Sequence, residues 1–217
     1  MPLFSHILFD LDGTLTNPRM GIGNSLKYAL KQMQIDSYSD EILERFVGPP
    51  IQDGMKNLFG LNEQDVNLAV EHFRVYFGEK GLYENEPYSG IAELLHSLHR
   101  SGKQVYVVTS KLEKYARKII SYFEFDRYIT DLQGAEATGK HSGKGQLIAR
   151  LIERHQILPS SSVVMVGDTH YDLIGARENK ISAVAVSYGF GTPDTLRSCN
   201  PDFIVGSVDE LAELILG

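Results

Sequence analysis

Short apolar runs alternate with helical patterning over most of this chain. The first run, Ser5-His6-Ile7-Leu8-Phe9, precedes an Asp12-Gly13 turn signal and reads as a buried parallel strand ending at Asp10. Val105–Val108, Val163–Val166, Ala183–Val186 and Phe203–Val205 repeat that pattern later. Between these runs apolar residues return at helical spacing, at Ile91, Leu94, Leu95 and Leu98, then Leu112, Ala116, Ile119, Ile120 and Phe123, then Leu147, Ile148, Leu151 and Ile152. A further helix is predicted near Asp172–Asn179, and the capping box Ser207-x-x-Glu210 opens a terminal one. Strands alternating with helices specify a parallel sheet covered on both faces.

One block breaks the alternation. From about Asn17 to Leu82 no strand is predicted, while Ile22, Leu26, Leu30 and Met33, and later Val66, Val70, Phe73 and Phe77, follow helical spacing. Asn62 stands where an N-cap precedes the second of these helices. Two shorter helices are expected around Glu41–Phe46 and Ile51–Leu58, separated by Gly48-Pro49-Pro50, which cannot continue a helix. The expectation is an α/β protein: a three-layer, Rossmann-like parallel-sheet core from residues 1–16 and 83–217, with an all-helical domain inserted at 17–82.

Composition narrows the choice of partners. A chain of 217 residues forms one large domain or a domain with an insertion. Its net charge of −7, with no Lys/Arg cluster, argues against a nucleic-acid-binding surface. Cys199 is the only cysteine, so no intrachain disulfide forms and a reducing compartment is the simple reading. The amino terminus has no basic region and its apolar run is cut short by Asp10, unlike a signal peptide. No apolar run approaches a membrane span. A cytoplasmic protein without nucleic-acid or membrane partners is expected; the oligomeric state leaves no trace in the sequence.

Open parallel sheets bind ligands beyond the carboxyl ends of their strands, and the candidate chemistry collects there. Asp10 and Asp12, two residues apart in an extended segment, can converge on one point. At roughly 4 Å and an effective dielectric near 20 such charges repel by about 4 kcal/mol, which a cation or a shared proton relieves. The second strand ends in Thr109-Ser110 and a later one in Gly167-Asp168, with Asp172 four residues on. Ser110-x-x-Glu113 reads as a capping box, which makes Ser110 a helix cap and leaves the Thr109 hydroxyl to face the crevice. Asp168 can be read as a plain helix cap, with Asp172 in the favourable first turn. Lys144 opens a helix beside the poor helix formers Gly143 and Gly145; a cation there opposes the macrodipole unless something negative lies close. Gly139-x-x-x-Gly143-Lys144-Gly145 fails the P-loop spacing, and Gly21-x-Gly23 and Gly189-x-Gly191 lack the third glycine of a dinucleotide fingerprint.

This ordered set resembles the haloacid dehalogenase superfamily of phosphatases. The first motif matches Asp10-Leu11-Asp12-Gly13-Thr14, the second Thr109-Ser110, the third Lys144 (with Lys140 the alternative), and the fourth Gly167-Asp168-x-x-x-Asp172. The helical insertion is similar to that family's small helical cap. Gly48-Pro49-Pro50, Gly81-Leu82-Tyr83-Glu84-Asn85 and Tyr188-Gly189-Phe190-Gly191-Thr192 look like its phosphoglycolate phosphatase-like branch.

The resemblance implies a Mg²⁺-dependent phosphatase acting on a small phosphorylated metabolite. Asp10 is then the nucleophile, giving an aspartyl-phosphate, and Asp12 the general acid and base. Thr109 and the Ser110 N–H bind phosphate at a helix amino terminus, and Lys144 balances Asp10 and the phosphate. The metal is expected on the Asp10 carboxylate, the Asp12 backbone carbonyl and Asp168, with Asp172 orienting a water or Lys144. Asp12 favours phosphate esters over alkyl halides, whose leaving group needs no proton. A phosphoglycolate phosphatase-like activity is the leading expectation; the alternatives are a nucleotidase or pyrophosphatase of the same fold, then a sugar phosphomutase or a non-catalytic phosphate-binding module of receiver type. In the cap, Arg45, Tyr76 and Tyr83 are candidate substrate contacts, against ion-pair or packing roles.

Overall fold

The computed structural model of the chain describes residues 4–36, 38–47, 51–136 and 143–217. Gly48-Pro49-Pro50, Gly139 and Lys140 lie outside the described residues. In chain order the elements are β1 (His6–Phe9), β2 (Thr16–Asn17), α1 (Arg19–Gln32), α2 (Asp40–Phe46), α3 (Ile51–Phe59), α4 (Glu63–Tyr76), a π-helical turn (Phe77–Gly81) and β3 (Glu86–Pro87). There follow α5 (Ile91–Arg100), β4 (Gln104–Leu112), α6 (Glu113–Tyr122), β5 (Asp131–Ala135), α7 (Lys144–Arg154), β6 (Val163–Gly167), α8 (His170–Glu178), β7 (Ser182–Val186), α9 (Pro193–Ser198), β8 (Phe203–Val205) and α10 (Val208–Leu216). The chain divides into two compact units, Met1–Thr16 with Pro87–Gly217, and Asn17–Glu86.

The α/β unit is built on a six-stranded sheet in the order β5-β4-β1-β6-β7-β8, with parallel pairing throughout. β1 lies at its centre and reads Ile-Leu-Phe because both faces are covered; Ile7, Leu8 and Phe9 are all fully buried. On one face Leu8, Tyr106, Val108 and Met165 pack against Leu147, Ile148 and Leu151 of α7 and Leu173 and Ala176 of α8. α5 and α10, which touch each other, cover the other face. Ser207 accepts from Glu210 N at 3.1 Å and so opens α10 as its sequence predicts.

The helical unit is organised by aromatic packing. Phe73 of α4 stacks against Phe46 and Phe77, ring centroids 6.0 and 5.6 Å away. Glu84 joins its ends: the side chain accepts from Asn24 and from the Tyr76 hydroxyl, each at 3.0 Å, and the carbonyl accepts from Gly21 N. Tyr76, a candidate substrate contact, is engaged in this way, while Arg45 and Tyr83 are exposed. Asn62 caps α4 by accepting from Asp65 N at 3.0 Å.

Several elements differ from the sequence reading, which includes no β2, β3, π-helical turn or α9. β5 adds a sixth strand, at the sheet edge. α6 begins at Glu113, after Leu112, with no side-chain cap; β4 continues through Ser110, and Glu113 instead accepts from Gly134 N and Arg117. Ser110 is therefore not a helix cap. No helix among the described residues is long and apolar enough to cross a membrane. Truncating Leu8 removes a fully buried side chain from the middle of the sheet; Leu8→Ala is expected to cost about 2–5 kcal/mol, read as a lowered urea midpoint.

Candidate active site

Three neighbouring strands deliver polar residues to one end of the sheet. Phe9 pairs in register with Val107 on one side and Val166 on the other. Asp10 is thus level with Val108 and Gly167, and Thr109 and Asp168 come one step beyond. The chain leaves β1 for β4 on one flank and places β6 on the other, the kind of crevice at which open parallel sheets take ligands. Asp10 is fixed there by its N–H, which donates to the Val166 carbonyl at 2.9 Å.

Lys144, the first residue of α7, closes the group. Its ammonium lies 2.8 Å from Asp10 Oδ1 and 2.8 Å from Asp172 Oδ1, and donates to the Val108 carbonyl at 3.0 Å. The ammonium is thus ion-paired with two carboxylates and hydrogen-bonded to one carbonyl, and the negative neighbours that a lysine at a helix mouth calls for are present. The other Asp172 oxygen accepts from Thr169 N at 3.1 Å and from the Thr169 hydroxyl at 2.8 Å. Thr169, not Asp168, is therefore the N-cap of α8, and Asp172 completes its capping box.

Asp168 is wholly buried. It accepts from the Thr14 hydroxyl at 3.3 Å and from Phe190 N at 2.7 Å. The glycine-rich loop at Tyr188–Thr192 wraps this carboxylate, and the Tyr188 hydroxyl donates to the Thr14 carbonyl at 3.0 Å. Gly13, at φ +90°, and Gly189 both lie where an added Cβ would strike Asp168. Thr14, Tyr188 and the Phe190 N–H thus support the site, and only the composition of their loops hinted at them.

Asp12 stands apart from this group. Its Oδ2 pairs with Lys111 at 2.6 Å, and its Oδ1 is buried with no hydrogen-bond partner. Thr109 is buried, and its Oγ1 accepts from Lys111 N at 3.2 Å; Ser110 is exposed. Sequence reasoning passed over Lys111, although it shares strand parity with Thr109, two residues earlier.

The electrostatics show more anion than the pocket can neutralise. Burial pushes the Asp10 carboxyl up to about 6; Lys144 pulls it down, and Asp172 and Asp12 push it further up. Burial, then Asp10 and Asp172, hold Asp168 well above the carboxylate range, against the Phe190 N–H and Lys144. For Lys144, burial works to lower the pKa, but Asp10 and Asp172 keep it above its ordinary value. In an isolated ion pair the acid would fall as the base rises. Here both rise, because burial outweighs Lys144 at Asp10, while at Lys144 the pull of Asp10 and Asp172 outweighs burial.

Carboxylate oxygens of Asp10, Asp168 and Asp172 lie within 4.8 Å of one another. These are hard oxygen donors in negative excess, a set that suits Mg²⁺. Each of the three is already engaged in part: Asp172 by Lys144 and Thr169, Asp168 by the Thr14 hydroxyl and Phe190 N, and Asp10 by Lys144.

Comparison with known proteins agrees with this geometry. Residues 7–186 match the family described as haloacid dehalogenase-like hydrolase. A 5′-nucleotidase of Pseudomonas aeruginosa is 39% identical over 212 residues, covering 98% of this chain and 96% of its own length. The tyrosine-protein kinase PtkA of Mycobacterium tuberculosis is 30% identical over 211 residues, covering 96% of this chain and 72% of its own. The crystal structure of a predicted phosphatase from Clostridium acetobutylicum superposes with a TM-score of 0.91 at 37% identity, over 99% of each chain.

The raised carboxyl pKa values carry a pH signature. With Asp10 near 6 in the folded protein against 3.8 for the free group, the native state binds the extra proton. That contribution is complete below pH 3.8 and is lost as pH rises through about 6. In a chelating buffer, resistance to urea should therefore increase on going from pH 7 to pH 5, and Asp10→Asn should weaken the trend.

Proposed function

The chain belongs to the haloacid dehalogenase-like hydrolases and is a phosphoric monoester hydrolase, and from that premise we propose that it hydrolyses a nucleoside 5′-monophosphate with Mg²⁺ through an aspartyl-phosphate. The observation that carries the reading is Lys144 bridging Asp10 and Asp172 at the strand ends, beside the buried Asp168.

In this reading Asp10 attacks phosphorus in line, so that the Asp10 O–P bond forms as the ester P–O bond breaks. Asp12 gives a proton to the departing oxygen, then takes one from the water that cleaves the aspartyl-phosphate. The Thr109 hydroxyl and the Ser110 N–H bind the phosphate oxygens. Lys144 balances Asp10 and the incoming charge, and Asp172 holds Lys144 in place. Asp10, the Asp12 backbone carbonyl and Asp168 would hold Mg²⁺, which when bound neutralises phosphate oxygens and carboxylates alike.

We assign the helical block at residues 17–82 as the cap that selects the ester. The nucleotide preference is supported by the full-length relative named 5′-nucleotidase. Phosphoglycolate is the second reading, favoured by the resemblance of Gly81–Asn85 and Tyr188–Thr192 to that branch. The single, buried Cys199 suits a reducing, cytoplasmic setting.

A panel of phosphorylated metabolites assayed with Mg²⁺ for released inorganic phosphate tests the assignment. AMP or another nucleoside 5′-monophosphate should give the highest kcat/KM. Faster phosphoglycolate turnover would replace the substrate, and phosphate transfer to tyrosine without release to water would overturn the hydrolase reading. Asp10→Asn should reduce turnover to background with a native circular dichroism spectrum. Asp12→Asn should lose about 10²- to 10⁴-fold in kcat.

A further inference from the structure

Lys111 is the charged side chain near the pocket that the reaction above leaves unused. We propose that Lys111 is a positioning residue that fixes the Asp12 carboxylate for proton transfer at the ester oxygen; the proposal rests on the reading of Asp12 as general acid and base. Three observations place it there. Its ammonium lies 2.6 Å from Asp12 Oδ2, and its side chain is only 8% exposed. A lysine held this closely gives up most of its rotamer freedom, which an incidental surface pair seldom requires.

The strand is shaped to deliver it. The β4–β5 register shifts between Val108 and Leu112, and such bulges re-aim side chains, commonly beside active sites. Lys111 N donates to Thr109 Oγ1 at 3.2 Å, so the residue proposed to hold phosphate and the residue holding Asp12 are tied together. The third observation concerns the oxygen left over. With Oδ2 taken by Lys111, Asp12 Oδ1 is buried and lacks a hydrogen-bond partner.

That arrangement assigns the two oxygens different work. Lys111 anchors Oδ2 and keeps its own proton throughout. Oδ1 carries the mobile proton, giving it to the departing oxygen as the P–O bond breaks and regaining one from water as that water attacks the aspartyl-phosphate. Lys144 serves Asp10 in the same manner, so each carboxylate of the Asp10-x-Asp12 pair has its own lysine.

The test compares AMP, whose alkoxide leaving group needs a proton, with p-nitrophenyl phosphate, whose phenolate does not. Lys111→Met should lower kcat on AMP by about 10- to 100-fold, a share of what general acid–base catalysis supplies, with KM changed less than about threefold. The loss on p-nitrophenyl phosphate should be clearly smaller. Lys111→Arg should recover part of the activity, and Lys111→Met placed on Asp12→Asn should cost nothing further. Circular dichroism reports whether each variant folds; if Lys111→Met does not, Lys111→Arg and Lys111→Gln are compared on the same two esters. Equal losses in single-turnover release of the two leaving groups, a raised KM with kcat unchanged, or an undiminished loss in the Asp12→Asn background would overturn the proposal. Wild-type protein inactive on both esters would instead remove the phosphatase reading itself.

Discussion

Three buried carboxylates gather at the carboxyl end of the sheet around one ammonium, which pairs with two of them, Asp10 and Asp172, and the architecture of the site follows from accommodating that imbalance. Asp10, Asp168 and Asp172 are each less than one-tenth exposed, as is Lys144. Burying unpaired carboxylates is costly enough that such groups ordinarily take up protons or bind a cation. The pocket meets the demand in part with hydrogen bonds: Phe190 N and the Thr14 hydroxyl to Asp168, and Thr169 to Asp172. The remainder is a standing affinity for positive charge, the property on which the proposed Mg²⁺ site rests.

Reaching that arrangement requires two helices to cross closely. Gly175 of α8 faces Gly145 N and the Lys144 side chain, near 3 Å from where a Cβ would stand. Gly167 leaves room for Asp172, and a Cβ on Gly145 would strike Glu178. Gly145, a poor choice for a helix start on propensity alone, is explained by this contact; Gly143, where a Cβ would meet only Gln146 Oε1 at 3.9 Å, is not. Local helix preference gives way to the approach that lets Lys144 reach across to Asp172.

Most of the α/β framework was legible because buried parallel strands advertise themselves as apolar runs. β5 does not. Asp131-Leu132-Gln133-Gly134-Ala135 pairs on one side only, with β4, and so carries polar residues that its neighbours satisfy: Asp131 is gripped by Arg154 and His155, each at 2.9 Å. An edge strand needs apolar residues at fewer positions, and this one has too few to show a period. Ser110 misled for a related reason. A Ser-x-x-Glu spacing opens a helix only where the backbone turns there, and β4 continued through a bulge instead. Lys111 was invisible because its significance depends on that bulge. The motif residues, by contrast, were legible as a set: none of Asp10, Thr109, Lys144 or Asp168 is diagnostic alone, and the order in which they fall on successive strand ends is.

The pairing of lysines with carboxylates suggests how one core supports differently named activities. A 5′-nucleotidase and a tyrosine-protein kinase both match nearly the whole of this chain. Both names describe the handling of a phosphoryl group. Fold alone does not select the group that receives or releases phosphate. That choice needs residues outside the Lys144 cluster, and Asp12 with Lys111 is the part of this core nearest to it in chemistry, since a proton at the bridging oxygen separates a departing alcohol from a departing phosphate. In the proposed mechanism the aspartate paired with Lys144 receives the phosphoryl group, and the aspartate paired with Lys111 governs how readily the other half of the ester leaves.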